Sequence, residues 1–215
     1  MARALEVRRL GRIRYDVAMT EMDRLVEARV AGQIPDTILL LEHEPVVTRG
    51  RRSDPANLLL PDEALAERGI ELRNTARGGD VTFHGPGQLV AYPILDLRPE
   101  RCDVRRYVMD LEQAMIDTVA HYGLSAGRVA GQNGAWIEGN RKIGAVGVRI
   151  ARWVTSHGFA LNVCTDLRSF EVIIPCGIRG KGVTSLSQEL GRTIDLEEAS
   201  QVAEEILRRT FSREL

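Results

Sequence analysis

The sequence predicts an α/β (α+β) fold in which one mixed β-sheet is flanked by helices. Three observations carry this expectation: capped amphipathic helical segments, strand-like runs clustered in the middle of the chain, and an irregular alternation of the two. A doubly wound parallel sheet would alternate more regularly. Residues 1–215 read as a single domain: 44% hydrophobic and 27% charged content suit one sizeable core, and no linker, repeat or low-complexity run divides the chain.

The first helix is expected near Tyr15 to Ala31, where Ala18, Met22, Leu25 and Val26 share a face and Gly32 stops it. "TILLLEH" then reads as a strand. A short helix follows Pro61, whose ring presets the first helical turn, and "QLVAYPIL" is the next strand. Asp103 is an N-cap residue type, and Val104, Val108, Leu111, Met115 and Val119 follow it at helical spacing before Gly123. "GAWIE", "KIGAVGVRI" and "VTSHGFALNV" complete the strands, the last two pairing through a turn near Ala151 and Arg152. Asp195 with Glu198 three residues on has the capping-box pattern, and opens a helix that buries Leu196, Ala199, Val202 and Ile206.

A formal net charge of −1 gives no global pull toward nucleic acid or membrane. Cys102, Cys164 and Cys176 are odd in number and lack CxxC spacing, which argues against a disulfide framework and a zinc site and suits a reducing compartment. "MARALEVRRLGRIRYDV" has no apolar core of signal-peptide length, and no segment approaches a membrane span. A cytoplasmic protein without a bound metal is expected.

The chemistry concentrates in three places. "RGGDVTFHGPGQLVAYP" puts glycines where an ordinary strand carries Val and Ile, beside Arg77, Thr82, His84 and Gln88. "GGDVTFHGPG" lacks GxGxxG spacing, and "GIRGKGV" lacks the Ser or Thr after its lysine, so neither is a nucleotide loop. A glycine bulge at a sheet edge is the plain alternative; a ligand resting against bare backbone explains the adjacent donors better. Cys176 sits in "IIPCGIRGKGVTSL", where Pro–Cys–Gly forms a turn at a strand end, and Arg179 and Lys181 behind it favour the nucleophilic thiolate. Lys142 heads a strand containing Gly144 and Gly147, within a segment from Gly139 to Thr165 that has no acidic residue. Neighbouring cations and desolvation depress a lysine pKa and fit it to act as a base. His43 and His157 compete for that role, and residue chemistry leaves the choice between Cys–Lys and Cys–His open. Cys164 reads as core, Cys102 as an exposed bystander and His121 as a helix-end residue.

"RGGDVTFHGPGQLVAYPILDL", "RKIGAVGVRI", "HGFALNV" and "PCGIRGKGVTSL", in this order, resemble the lipoyl/octanoyl protein transferase family (octanoyl-acyl-carrier-protein:protein N-octanoyltransferases), within the biotin and lipoate protein ligase superfamily. The resemblance implies a biotin/lipoate ligase-like catalytic fold over the whole chain. It implies transfer of an octanoyl or lipoyl group from acyl carrier protein to a lysine of a lipoyl domain, without cofactor or metal. Acceptors would be the lipoyl domains of 2-oxoacid dehydrogenase E2 subunits and the glycine cleavage H protein; nucleic acid and membrane are not expected partners. It places the acyl-thioester nucleophile on Cys176 and the lysine that lowers its pKa on Lys142. The acyl-substrate wall falls on Arg77, Gly78, Gly79, Asp80, Val81, Thr82, Phe83 and His84, on Ala145, Val146 and Gly147, and on Gly158, Phe159 and Ala160. Backbone N–H groups near Gly177 or in the 77–84 loop are candidate oxyanion donors. Arg49, Arg51 and Arg52, or Arg105 and Arg106, are candidates to meet an acidic carrier. The competing functions are an ATP-dependent lipoate or biotin ligase on the same fold, a Cys–His hydrolase, and a non-enzymatic carrier-binding module.

Overall fold

In the computed structural model, which describes residues 4–177 and 180–212, the run "TILLLEH" lies in a strand buried along its whole length. Its side chains alternate between two cores, Ile38 and Leu40 on one face and Leu39 and Leu41 on the other. A strand covered on both faces has no polar face to show, which is why the run is continuously apolar.

In chain order the elements begin with β1 (Leu5–Ile13), α1 (Tyr15–Val30), β2 (Asp36–His43), β3 (Val46–Arg49), α2 (Asp62–Glu67), β4 (Glu71–Asn74), β5 (Val81–His84) and β6 (Gln88–Ile94). They continue with α3 (Val104–His121), β7 (Ala126–Val129), β8 (Gln132–Ile137), β9 (Arg141–Ala151), β10 (Val154–Asn162), β11 (Gly182–Val183), α4 (Leu186–Leu190) and α5 (Leu196–Phe211). The main sheet runs β1-β2-β6-β10-β9-β8-β7, with β11 added beside β9. β1 is parallel to β2 and β11 to β9, while the other neighbours are antiparallel, so the sheet is mixed as expected. α3 and α5 cover one face, packing Tyr107, Leu111, Met115 and Leu207 around Leu89, Phe159 and Leu161. α1 covers part of the other face with Ala18, Met22 and Leu25. A second sheet, β4-β3-β5, has its own small core of Val47, Val81, Phe83 and Phe170.

The helix starts are set by their caps. Asp103 accepts a hydrogen bond from Arg106 N, and Asp195 accepts one from Glu198 N; each such cap contributes about 1 kcal/mol. The β9–β10 turn falls on Arg152 and Trp153, at φ 54° and 64°, one residue later than expected. Positive φ at both central residues matches the right-handed twist of the flanking strands.

β1 was not anticipated from the sequence. "LEVRRLGRI" sends Leu5 and Val7 toward one core and Leu10 and Ile13 toward the other. This switch of face accompanies a register shift between Arg9 and Arg12, with Gly11 at φ 63°. Its arginines pair outward: Arg8 with Glu6 and Glu21, Arg9 with Glu197 and Glu204, and Arg12 with Glu42.

Candidate active site

β9 and β10 build the floor of the site. Ala145 lies opposite Ala160 and Gly147 opposite Gly158, and directly opposed residues share a face, so a strip of small residues runs along both strands. Over this strip stand Thr82 and His84 of β5 and the loop before it. The loop is tied down by its backbone: Gly78 N donates to Val148 O at 2.9 Å, while Arg51 N and Arg52 N donate to Arg77 O and Gly79 O at 3.1 Å each. The buried Arg77 guanidinium donates to Thr48 O and Thr48 Oγ1 at 2.8 Å and to Gly78 O at 3.0 Å. Between floor and loop lies a narrow cavity. A second, smaller space shares Thr82, Ala145 and Ala160 with it and extends to Lys142 and Pro175.

Of the wall residues expected from the sequence, Arg77, Gly79, Asp80, Val81, Thr82, His84, Ala145, Val146, Gly147, Gly158, Phe159 and Ala160 line the larger cavity. Gly78 is held against Val148, and Phe83 turns into the small core, edge-on to Phe170 with ring centroids 5.5 Å apart. Tyr15, Tyr92 and His157 also line the cavity. Tyr15 opens α1 and Tyr92 sits inside an apolar strand, positions where helical or strand patterning marks them simply as core.

The glycines were expected to leave room for a ligand, but the protein's own atoms occupy much of that room. A Cβ on Gly147 would stand 3.0 Å from Arg77 Cδ. One on Gly144 would collide with Met115 Sδ of α3, and one on Gly158 with Ala91 O of β6. Gly79, at φ 88°, is required by the bend itself. Close packing of loop, helix and neighbouring strand therefore accounts for these glycines.

Lys142 is buried at the start of β9. Its ammonium lies 4.8 Å from the Trp136 ring centroid; that of Lys181 lies 4.7 Å from the same ring and donates to Gly139 O at 2.8 Å. β11 straps this end: Val183 pairs with Lys142, and Thr184 N donates to Lys142 O at 2.9 Å. Pro175–Gly177 forms one 3-10 turn, as the Pro–Cys–Gly sequence implied, but the chain before it forms a 3-10 helix, Leu167–Val172, and not the expected strand. The Cys176 side chain and all of Arg179 lie outside the described residues. Gly177 N donates to Ile174 O at 3.0 Å within the turn, and Gly78 N and Val81 N are also engaged, so these three N–H groups are not oxyanion donors here.

A buried polar network backs the cavity. His43 Nδ1 faces Ile13 O at 3.3 Å; a carbonyl only accepts, so the proton sits on Nδ1 and Nε2 accepts from Tyr92 Oη at 2.7 Å. His84 Nδ1 likewise donates to Gln88 Oε1 at 2.7 Å, because Gln88 Nε2 donates to Asn162 Oδ1 at 2.9 Å. Burial pushes His43 down to about 4. Burial, then the nearby His43, Arg77 and His157, push His84 to about 3. Burial, then Arg77, Arg149 and His43, push His157 to about 3. All three rings are neutral at neutral pH. Cys164, expected in the core, is half-buried at its edge, with its thiol pushed up by burial and by Glu42 and Asp195; Cys102 is exposed.

Among the described residues, no group of three or more His, Cys, Asp or Glu could hold a metal ion, and no helix is long and apolar enough to cross a membrane. Two sheets thus flank a partly open cavity, and the neighbouring space reaches the buried Lys142. The chain matches the family model "Lipoyl protein ligase A/B catalytic domain" over residues 14–208, and it belongs to that family. It is 52% identical over 195 residues to an octanoyltransferase of Solibacter usitatus, covering 91% of this chain and 87% of that protein. An octanoyltransferase of Mycobacterium leprae is 48% identical over 209 residues, covering 94% and 86% respectively. One from Myxococcus xanthus is 48% identical over 202 residues; there the match takes in 92% of this chain but 57% of the longer relative. The fold is shared with a bipartite lipoate protein ligase from Thermoplasma acidophilum at TM-score 0.69 and 16% identity, covering 98% of this chain and 84% of that one. It is shared also with a biotin protein ligase from Aquifex aeolicus at TM-score 0.58 and 14% identity, covering 96% and 70%.

Proposed function

We infer that this chain is an octanoyltransferase of protein lipoylation, one catalytic domain that passes the acyl group through a thioester on Cys176. The observation that carries the reading is that the cavity shares Thr82, Ala145 and Ala160 with the space reaching Lys142 and Pro175, the residue before Cys176. Cys176 attacks the thioester carbonyl of octanoyl-acyl carrier protein as its thiolate, the form that the Lys142 ammonium stabilises. The carbonyl bond to the carrier sulfur breaks, and the departing thiolate takes a proton from Lys142. The neutral ε-amine of a lipoyl-domain lysine then attacks the acyl-Cys176 carbonyl, forming the amide. Lys142 takes the amine's proton, and Cys176 leaves as its thiolate. Each thioester exchange is nearly balanced and amide formation runs downhill, so no ATP enters.

Lysine is favoured over histidine as the partner of the thiolate because His84 and His157, at about 3, are neutral at neutral pH and carry no charge to stabilise it. Cys102 is exposed and Cys164 has a raised thiol pKa, and neither lies on the turn beside Lys142. Lipoyl domains of 2-oxoacid dehydrogenase E2 subunits and the glycine cleavage H protein are the acceptors we propose. The exposed Arg51 and Arg52, on the segment tied to the 77–79 loop, suit an acidic carrier as donor. A nucleophilic thiol must stay reduced, which supports the cytoplasm as its compartment. Intact mass after incubation with octanoyl-acyl carrier protein, acceptor and ATP withheld, tests the reading. An octanoyl increment that hydroxylamine removes, and that a lipoyl domain discharges onto its own lysine, is expected. Unimpaired transfer by Cys176→Ala would replace the covalent route with direct attack by the amine.

A further inference from the structure

Asp80 lines the acyl cavity, but its carboxylate is engaged on its far side. Oδ1 accepts from Val81 N at 2.7 Å and from Asp54 N at 3.1 Å, and Oδ2 accepts from Asn57 Nδ2 at 2.6 Å. Asn57 is buried and belongs to a 3-10 turn, Pro55–Asn57, capped by the Asp54 side chain. This turn leads into a segment that runs alongside the chain entering Cys176. Ile174 N donates to Asn57 O at 2.8 Å, Leu59 N donates to Val172 O at 2.9 Å, and Leu58 bridges Ile173 in antiparallel fashion. Beyond the cysteine, a Cβ placed on Gly177 would stand 2.9 Å from Asn57 Nδ2 and 3.1 Å from Asp80 Oδ2. The amide–carboxylate pair is therefore packed directly under the residue after the nucleophile. Two hydrogen bonds in series, Asn57 Nδ2 to Asp80 Oδ2 and Ile174 N to Asn57 O, join the acyl wall to the chain entering the turn that carries the sulfur.

We propose that Asn57 and Asp80 form a positioning latch, holding the Pro175–Gly177 turn at the mouth of the acyl cavity; the proposal rests on Cys176 as nucleophile. A thioester carbonyl must sit about 3–3.5 Å from the attacking atom, and a displacement of about 1 Å costs on the order of a hundredfold in rate. Neither latch residue exchanges a proton or touches the reacting carbon. Their contribution is to kcat through geometry, while the hydrocarbon still finds Ala145, Gly147 and Ala160 unchanged.

The test uses Asn57→Ala, Asp80→Asn, and the double variant Asn57→Asp with Asp80→Asn, which exchanges donor and acceptor and restores the hydrogen bond. Single-turnover octanoyl loading of Cys176, steady-state kcat and KM for octanoyl-acyl carrier protein, and thermal midpoints are measured on each. Both single variants are expected to lower loading rate and kcat by about tenfold or more, with KM within about twofold, and the double variant is expected to recover most of the loss. If Asn57→Ala does not fold, the isosteric Asp80→Asn and the double variant decide the matter. Wild-type loading rates in the single variants, a change confined to KM, or failure of the double variant to recover would each overturn the latch. A wild-type protein that never carries octanoate on Cys176 would instead overturn the covalent mechanism, and the latch with it.

Discussion

The Lys142 ammonium rests 4.8 Å from the centroid of the Trp136 ring, and the two residues are paired partners on adjacent strands. A cation over an aromatic face is held by about 0.5–2 kcal/mol with less hydration than it would have in water. The ring thus fixes the ammonium laterally without transferring a proton to or from it.

Lys142→Ala should therefore lower octanoyl transfer by about 10²–10⁴-fold, the range for a lost general acid–base group. Trp136→Leu should lower it by about three- to thirty-fold, corresponding to the lost cation–π contact. Cys176 alkylation by iodoacetamide, followed by peptide mass against pH, should shift to higher pH in Lys142→Ala. An unchanged profile would remove Lys142 as the group that favours the thiolate.

Gly147→Val tests the tightness of the cavity roof. Its Cβ would press on Arg77 Cδ, at 3.0 Å, and on Gly78 O, at 3.3 Å. Overpacking of this kind costs about 1–3 kcal/mol, and the loop, tied to β3 and β9, must shift to absorb it. We expect a lower thermal midpoint together with a KM for octanoyl-acyl carrier protein raised tenfold or more, on the order of the discrimination a filled apolar pocket exerts. A KM equal to wild type would mean that the acyl chain does not lie against this loop.

The histidines give the fold a pH limit. His43, His84 and His157 have folded pKa values of about 4, 3 and 3, below the 6.5 of the free side chain. Protonation therefore favours the unfolded chain. Their contribution is complete above about pH 6.5 and falls as pH drops toward 4, by up to about 1.4 kcal/mol per pH unit for each ring. Urea midpoints should decline steadily from pH 6.5 to about 5.5, a window in which free carboxylates stay ionised. In His84→Gln the slope should be shallower by about one proton. A slope equal to wild type would mean that His84 is protonated in the folded protein.

Arg51→Glu combined with Arg52→Glu should raise KM for octanoyl-acyl carrier protein about tenfold at low salt and less at 0.5 M salt, since exposed charges are screened. Loading of Cys176 from a small octanoyl thioester should be unaffected. Equal effects on the small and carrier-bound substrates would place these arginines outside carrier recognition.

Much of this architecture was legible in the sequence because its signals are local. Asp103 and Asp195 mark helix starts by the very hydrogen bonds they make, and the apolar runs of β2 and β6 announce strands covered on both faces. β1 escaped because its apolar residues serve two cores across a register shift, which destroys the period of two. β3, β4 and β5, each four residues long, are too short to show a period at all. In the candidate site, Lys142 stood out through residue type at a strand start, and the Cys176 turn through its Pro–Cys–Gly sequence. Tyr15 and Tyr92 did not, because a tyrosine on an apolar face looks like core until the tertiary fold sets it beside a cavity. Asn57 carried no signal either. Its importance lies in a long-range contact to Asp80 and to the chain at 174, and no spacing rule connects those positions.

β1 closes one side of the main sheet, and its exposed backbone is a potential template for a strand from another molecule. The arginines that project from it are bound to acidic partners on its own strand, α1, α5 and β2. An incoming chain would have to dislodge those ion pairs and then match a ladder whose spacing breaks at Gly11. Copies of this chain are thereby discouraged from joining edge to edge through their own sheets.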